Sequence, residues 1–221
     1  MDDEVDRLLA IQREASSREW WTQYKGSMSS GMPRFVGIES AARSIQAFHP
    51  CLVLGLLQTE AYARALYEIA KPIDDTTNAF IENGVQLRMK RKESLLDEDD
   101  PLRLWVILYE PALRYIVGGD EIMREQYEEI TRLAMLDHVT VQVLPQSVRG
   151  YLQVHNFSIL YLDDPLPTTV QVDNAWGASS VSDTPQEVAQ FTRKFSAMVA
   201  SSLPPEDTPK LLQRLSREIT D

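Results

Sequence analysis

An α+β fold, a small mixed sheet of about four strands with flanking helices, is what the sequence predicts. Three observations carry this. Before residue 100, apolar residues recur mainly at helical spacing. The period then shortens in residues 102–109 (LRLWVILY), which lie between Pro101 and Pro111 and read as a strand buried on both faces. Strand, helix and strand follow one another from 102 to 144, a span that cannot close as a tight hairpin and so requires a right-handed parallel crossover.

In chain order, residues 2–18 place Val5, Leu8, Leu9 and Ile11 among charges with acids in the first turn, the pattern of an amphipathic helix. A Ser-rich loop at 26–33 breaks the chain. Thr59 is placed to cap a helix carrying Tyr62, Ala63, Leu66 and Ile69, with Pro72 expected just beyond its end. A longer helix is expected over 76–96, stopped by the acidic run 97–100 and Pro101. After the 102–109 strand and a short helical turn, Gly118-Gly119 leads into a helix over 120–136. Val139, Val141 and Val143 alternate with Thr140 and Gln142 as in a half-buried strand. Strands at 156–162 and 168–173 flank the turn Asp163-Asp164-Pro165, so they can pair antiparallel. Thr184-Pro185-Gln186-Glu187 combines a capping box with proline at the first helical position. Val188, Phe191, Phe195, Met198 and Val199 give that helix one apolar face, and a final short helix spans 209–219.

The 221 residues suffice for one compact unit. A net charge of −11 repels phosphate backbones, so direct nucleic-acid binding by this chain is not expected. The single cysteine, Cys51, excludes an intrachain disulfide and fits the cytoplasm. The longest apolar run, 51–57, is far too short for a membrane span, and the acidic N-terminus is unlike a signal peptide.

No cofactor or metal is expected: the sequence has no phosphate-cradling glycine loop, no dinucleotide fingerprint and no Cys/His cluster. His49 and Cys51 are two apart, a poor chelate on a strand, and His138 and His155 have no ligand-spaced neighbours. The basic knot 88–92 places Arg88, Arg91 and Lys92 on one helical face; beside Glu93 and the acids at 97–100 it reads as solvated and salt-bridged. Glu110 ends a buried strand, the usual mouth of a ligand crevice where connections are parallel, and Arg114 stands one helical turn on as its pairing partner. Trp105, on the same strand, reads as core or as a ligand platform.

The paired Trp20-Trp21, the step Gly37-Ile38-Glu39 and the block 55–64 (GLLQTEAYAR) form a combination. It resembles the C-terminal effector domain of actinobacterial XRE-type, antitoxin-like transcriptional regulators. Residues 104–113 (LWVILYEPAL), Val117-Gly118-Gly119, 139–145 (VTVQVLP), Gly150 and Phe157 to Leu160 extend the likeness. It implies a connector helix at 1–19, an effector body at 20–203 and a C-terminal helix at 204–221, normally preceded by a helix-turn-helix head. The function implied is regulatory, with either a small acidic protein or a small-molecule effector as partner and Gln58, Arg88, Trp105, Glu110, Arg114 and Tyr151 as contact residues. Because the head is not in these 221 residues, two further readings stay open. One is a headless copy turned cyclase- or isomerase-type enzyme of specialised metabolism, with Glu110 or His155 as acid or base beside Trp105, Tyr109, Tyr151 or Trp176. The other is a homodimer formed through the apolar face of the last two helices.

Overall fold

The computed structural model describes residues 20–174 and 179–219; the helix expected at 2–18 and Trp176 lie outside them. The sheet has six strands, two more than expected: β1 (Ala42–His49), β2 (Arg103–Tyr109), β3 (Val139–Leu144), β4 (Phe157–Leu162), β5 (Thr169–Asp173) and β6 (Ser179–Ser182). Their spatial order is β3-β2-β1-β4-β5-β6. β1, β2 and β3 are mutually parallel, whereas β4, β5 and β6 continue the sheet antiparallel. The two strands not foreseen have weak local signals. β1 (ARSIQAFH) is buried through its neighbours on both sides rather than through its own β-propensity, and β6 (SSVS) holds one apolar residue at an edge.

Among the described residues seven α-helices flank the sheet: α1 (Met32–Glu39), α2 (Glu60–Asp74), α3 (Asn78–Lys92), α4 (Glu110–Arg114), α5 (Asp120–Leu133), α6 (Pro185–Val199) and α7 (Thr208–Glu218). The crossovers from β1 to β2 and from β2 to β3 carry α2 to α5, and right-handed connections in one direction put these helices on one face. There Val106 and Val141 of the sheet meet Tyr62, Met123 and Ile130 in the main core. The last helix joins this core through Leu211, Leu212 and Leu215. A smaller core on the opposite face packs Phe195 and Met198 of α6 against Phe48, Ile107 and Phe157. Phe195 and Met198 of α6 and Leu211, Leu212 and Leu215 of α7 are thus buried within the chain, whereas Val188, Phe191 and Val199 of α6 are half-buried.

Local signals hold with two corrections. Thr59 and Thr77 cap α2 and α3, their hydroxyls accepting from Tyr62 N and Phe80 N at 3.1 Å each. Pro72, however, lies inside the last turn of α2, where a missing N–H forfeits only one terminal bond. The Thr184 capping box does not close; the Thr184 N–H donates instead to Ser182 Oγ at 3.2 Å. Edge strand β3 is covered by the passage from α6 to α7: Leu203 N donates to Val143 O at 2.9 Å and Thr208 Oγ1 to Val141 O at 2.8 Å, the kind of cover that stops edge-to-edge association. No helix among the described residues is long and apolar enough to cross a membrane.

The family-like segments have structural work. Trp21 lies edge-on to Trp20 and packs against Gly37, where a Cβ would stand 3.1 Å from Trp21 Cζ2. Gly31, at φ +81°, opens α1 so close to β6 that a Cβ there would fall 2.1 Å from Ser179 O, excluding any side chain.

Candidate functional site

The helices of the crossovers cover the parallel strands, while β5 follows β4 with no helix between them. Where the sheet outruns its cover, a cavity of about 890 Å³ opens. Period-two alternation aims the floor: Ala47 pairs with Ser158, Ser158 with Gln171, and Asp173 with Ser179, all on the crossover side of the sheet. His49, two residues past Ala47, stands at the end of the same row and lines the cavity. Phe35, Leu66, Tyr67, Phe80 and Leu87 supply an apolar wall, and Val154, His155 and Asn156 form part of the rim.

The floor is polar and largely satisfied. Asp173 accepts from Asn156 Nδ2 at 2.6 Å, from Gln171 Nε2 at 2.5 Å and from Ser179 Oγ at 2.7 Å. The His49 imidazole makes no hydrogen bond to another described residue, and burial drives its pKa down to about 4, Asp173 opposing and Arg91 reinforcing the shift. It is therefore neutral at pH 7, with an imidazole free to give or take one hydrogen bond in the cavity.

This depressed pKa has a stability consequence. The unfolded imidazole takes a proton near pH 6.5 and the folded one only near 4. Its contribution is thus fully present above 6.5, falls as the pH drops and is gone below 4, at roughly 3 kcal/mol in all. Urea unfolding at pH 7.5 and 4.5 should show a larger loss for the native chain than for His49→Gln by about 2–3 kcal/mol; equal losses would contradict it.

The basic knot turns inward, contrary to the solvated face expected. Ile81, Gly84, Val85, Arg91 and Lys92 are buried along one stripe of α3 that half-buried Arg88 shares, and each cation finds a different environment. Arg91 and Glu39, 7% and 6% exposed, form a fork, Nε to Oε1 at 2.6 Å and Nη2 to Oε2 at 2.8 Å. Lys92 pairs with Glu129 and also donates to Gln58 O at 3.1 Å. Arg88 donates Nη1 to Gln58 Oε1 at 2.7 Å and lies 4.7 Å from the Tyr67 ring centroid, but among the described residues it has no carboxylate partner. Burial pulls its pKa below the ordinary value, against the pull of Tyr67; it remains a cation.

Gln58 owes its place to the 55–64 block. Its Nε2 donates to Val53 O at 2.7 Å, which turns Oε1 toward Arg88. Buried Gln126 of α5 ties the block down, donating Nε2 to Leu57 O at 2.7 Å and accepting from Thr59 N at 2.8 Å.

Of the residues singled out from sequence, Gln58, Arg88 and His155 line the cavity. Glu110 and Arg114 do not: Arg114 Nε donates to Glu110 Oε1 at 2.8 Å and Nη1 to Glu218 at 2.8 Å, while Gln146 N donates to Glu110 Oε2 at 3.0 Å. Burial pushes the Glu110 carboxyl up, but Gln146 N–H and Arg114 outweigh it and hold the group below the usual carboxylate range, unlike a proton donor at neutral pH. Trp105 packs edge-on against Phe195 at 5.6 Å and donates Nε1 to Gln142 at 2.8 Å, on the α6 face. Tyr109 also belongs to that second core. Tyr151 is exposed and donates to Gln153 Oε1 at 2.7 Å. His49, Asp173 and Gln171 are cavity residues that sequence reasoning does not assemble, because β1, which carries His49 to the sheet beside β4 and β5, has little strand signal of its own.

Residues 32–214 match a protein family described as a domain of unknown function (DUF5753). No curated protein and no solved structure matches the chain.

Proposed function

The chain belongs to the DUF5753 domain family, and from that premise we propose that it is a noncatalytic sensor, the ligand-binding domain of a helix-turn-helix regulator of the XRE type. The carrying observation is the cavity itself: about 890 Å³, within the range of small-molecule sites, with an apolar wall and a few convergent polar groups. Its polar groups are held by one another in positions suited to recognition. Of the two acid or base candidates of the enzymatic alternative, His155 stands at the cavity rim, whereas Glu110 is paired with Arg114 and does not line the cavity. Of the two partners the resemblance implies, the effector molecule is favoured over the small acidic protein, because a chain of net charge −11 repels an acidic surface over the whole approach.

Signalling requires that the ligand bind two arrangements unequally. The segment 146–156 suits that role: it contributes Val154 and His155 to the rim, and Val154 is 71% exposed, so closing it over a ligand buries apolar surface that is otherwise wet. The reading is tested by equilibrating the purified chain with a low-molecular-weight metabolite extract and weighing the intact complex by native mass spectrometry. A stoichiometric compound is expected on the native chain and not on Ala70→Trp, which fills the cavity from α2. No retained compound, or equal retention by both chains, overturns the reading.

A further inference from the structure

The three cations on the inward stripe of α3 are treated unequally. Arg91 has Glu39 and Lys92 has Glu129, as buried charges require. Arg88, one turn earlier on the same stripe, has among the described residues only a neutral amide and an aromatic ring. Asp74 and Asp173 line the same cavity, yet neither forms an ion pair with Arg88, and Asp173 is already committed to Asn156, Gln171 and Ser179.

We propose that the cavity takes a small ligand with an apolar body and one anionic head, a carboxylate or phosphate, seated on Arg88. This rests on the small-molecule reading above and adds the ligand's charge to it. A guanidinium has five N–H donors in a planar fork; Gln58 fixes one side of it through Nη1 and so orients the remainder. The Tyr67 ring at 4.7 Å supports the face of the guanidinium by cation–π attraction. Phe35, Phe80 and Leu87 accept the body, and neutral His49 offers an imidazole nitrogen for a hydrogen bond. A net charge of −11 leaves the rest of the molecule unattractive to anions, so the site selects by a local charge inside an acidic shell.

Two dyes with one apolar body separate charge from cavity: 1-anilinonaphthalene-8-sulfonate, and uncharged N-phenyl-1-naphthylamine. The native chain should bind the sulfonate more tightly. Arg88→Gln should weaken the sulfonate at least about tenfold and leave the uncharged dye within about twofold, the loss of a charged hydrogen-bonded contact; Arg88→Lys, which keeps a point charge, should fall between. On the unsubstituted chain, phenylacetate or phenyl phosphate should displace the sulfonate dye, and 2-phenylethanol and phenethylamine should not. The stronger of the two anionic competitors then tells carboxylate from phosphate. Equal weakening of both dyes by Arg88→Gln, or displacement by phenethylamine as effective as by either anion, overturns the anionic head while leaving the cavity reading standing. Binding of neither dye, or binding that Ala70→Trp leaves unchanged, overturns the cavity reading itself.

Discussion

Replacing Arg91 with methionine should destabilise the fold by about 3–5 kcal/mol, the usual cost of leaving one member of a buried ion pair alone. Glu39 would keep a carboxylate 6% exposed with its two strongest hydrogen bonds removed. The damage would spread, because this pair joins α1 to α3 and Phe35 of α1 lies 5.4 Å beneath the guanidinium. The second substitution decides the cause: in Arg91→Met with Glu39→Leu the orphaned charge is gone, and most of the stability should return, since a well-packed apolar pair is often as stable as the ion pair it replaces. Denaturant unfolding of the four chains of that cycle measures it. A single-variant loss under about 1 kcal/mol would show that water reaches Glu39 and that the pair is not truly buried.

Gln126→Leu should come next, at about 2–5 kcal/mol, because two backbone groups lose their partner at once. Gln126 is fully buried; its side chain satisfies Leu57 O and Thr59 N, which belong to a 3₁₀ turn and to the residue capping the following helix and so have no partner within a regular element. Leucine fits the volume but offers neither donor nor acceptor. The effect on the site should exceed the effect on stability elsewhere, since the same turn holds Gln58 against Arg88. Amide hydrogen exchange should show Thr59 and Tyr62 losing protection first; an unchanged exchange rate at Thr59 would contradict this account.

Much of this architecture is legible in the sequence. The parallel crossover from β2 to β3, the turn between β4 and β5 and the cap at Thr59 follow from period and local chemistry. What escapes is set by tertiary context. β1 carries Arg43, Ser44 and Gln46, and its place at the centre of the sheet depends on partners 59 and 115 residues away, such as Trp105 and Tyr161 for Gln46. The inward turn of the basic knot has a readable sign. Arg88, Arg91 and Lys92 continue at helical spacing from Ile81 and Val85, so cations placed on the extension of an apolar stripe point to buried carboxylates or to a ligand. Those carboxylates, Glu39 and Glu129, lie 52 and 37 residues from their partners, and no local pattern connects them.

Because the hollow arises where three antiparallel strands project past the helices that roof their parallel neighbours, its existence depends on chain path, not on any one small side chain. Vessel and contents are thereby decoupled. Relatives sharing this path could exchange Ser158, Gln171 or Leu87 and so change what they hold without collapsing the chamber, which would let one scaffold serve many different signals.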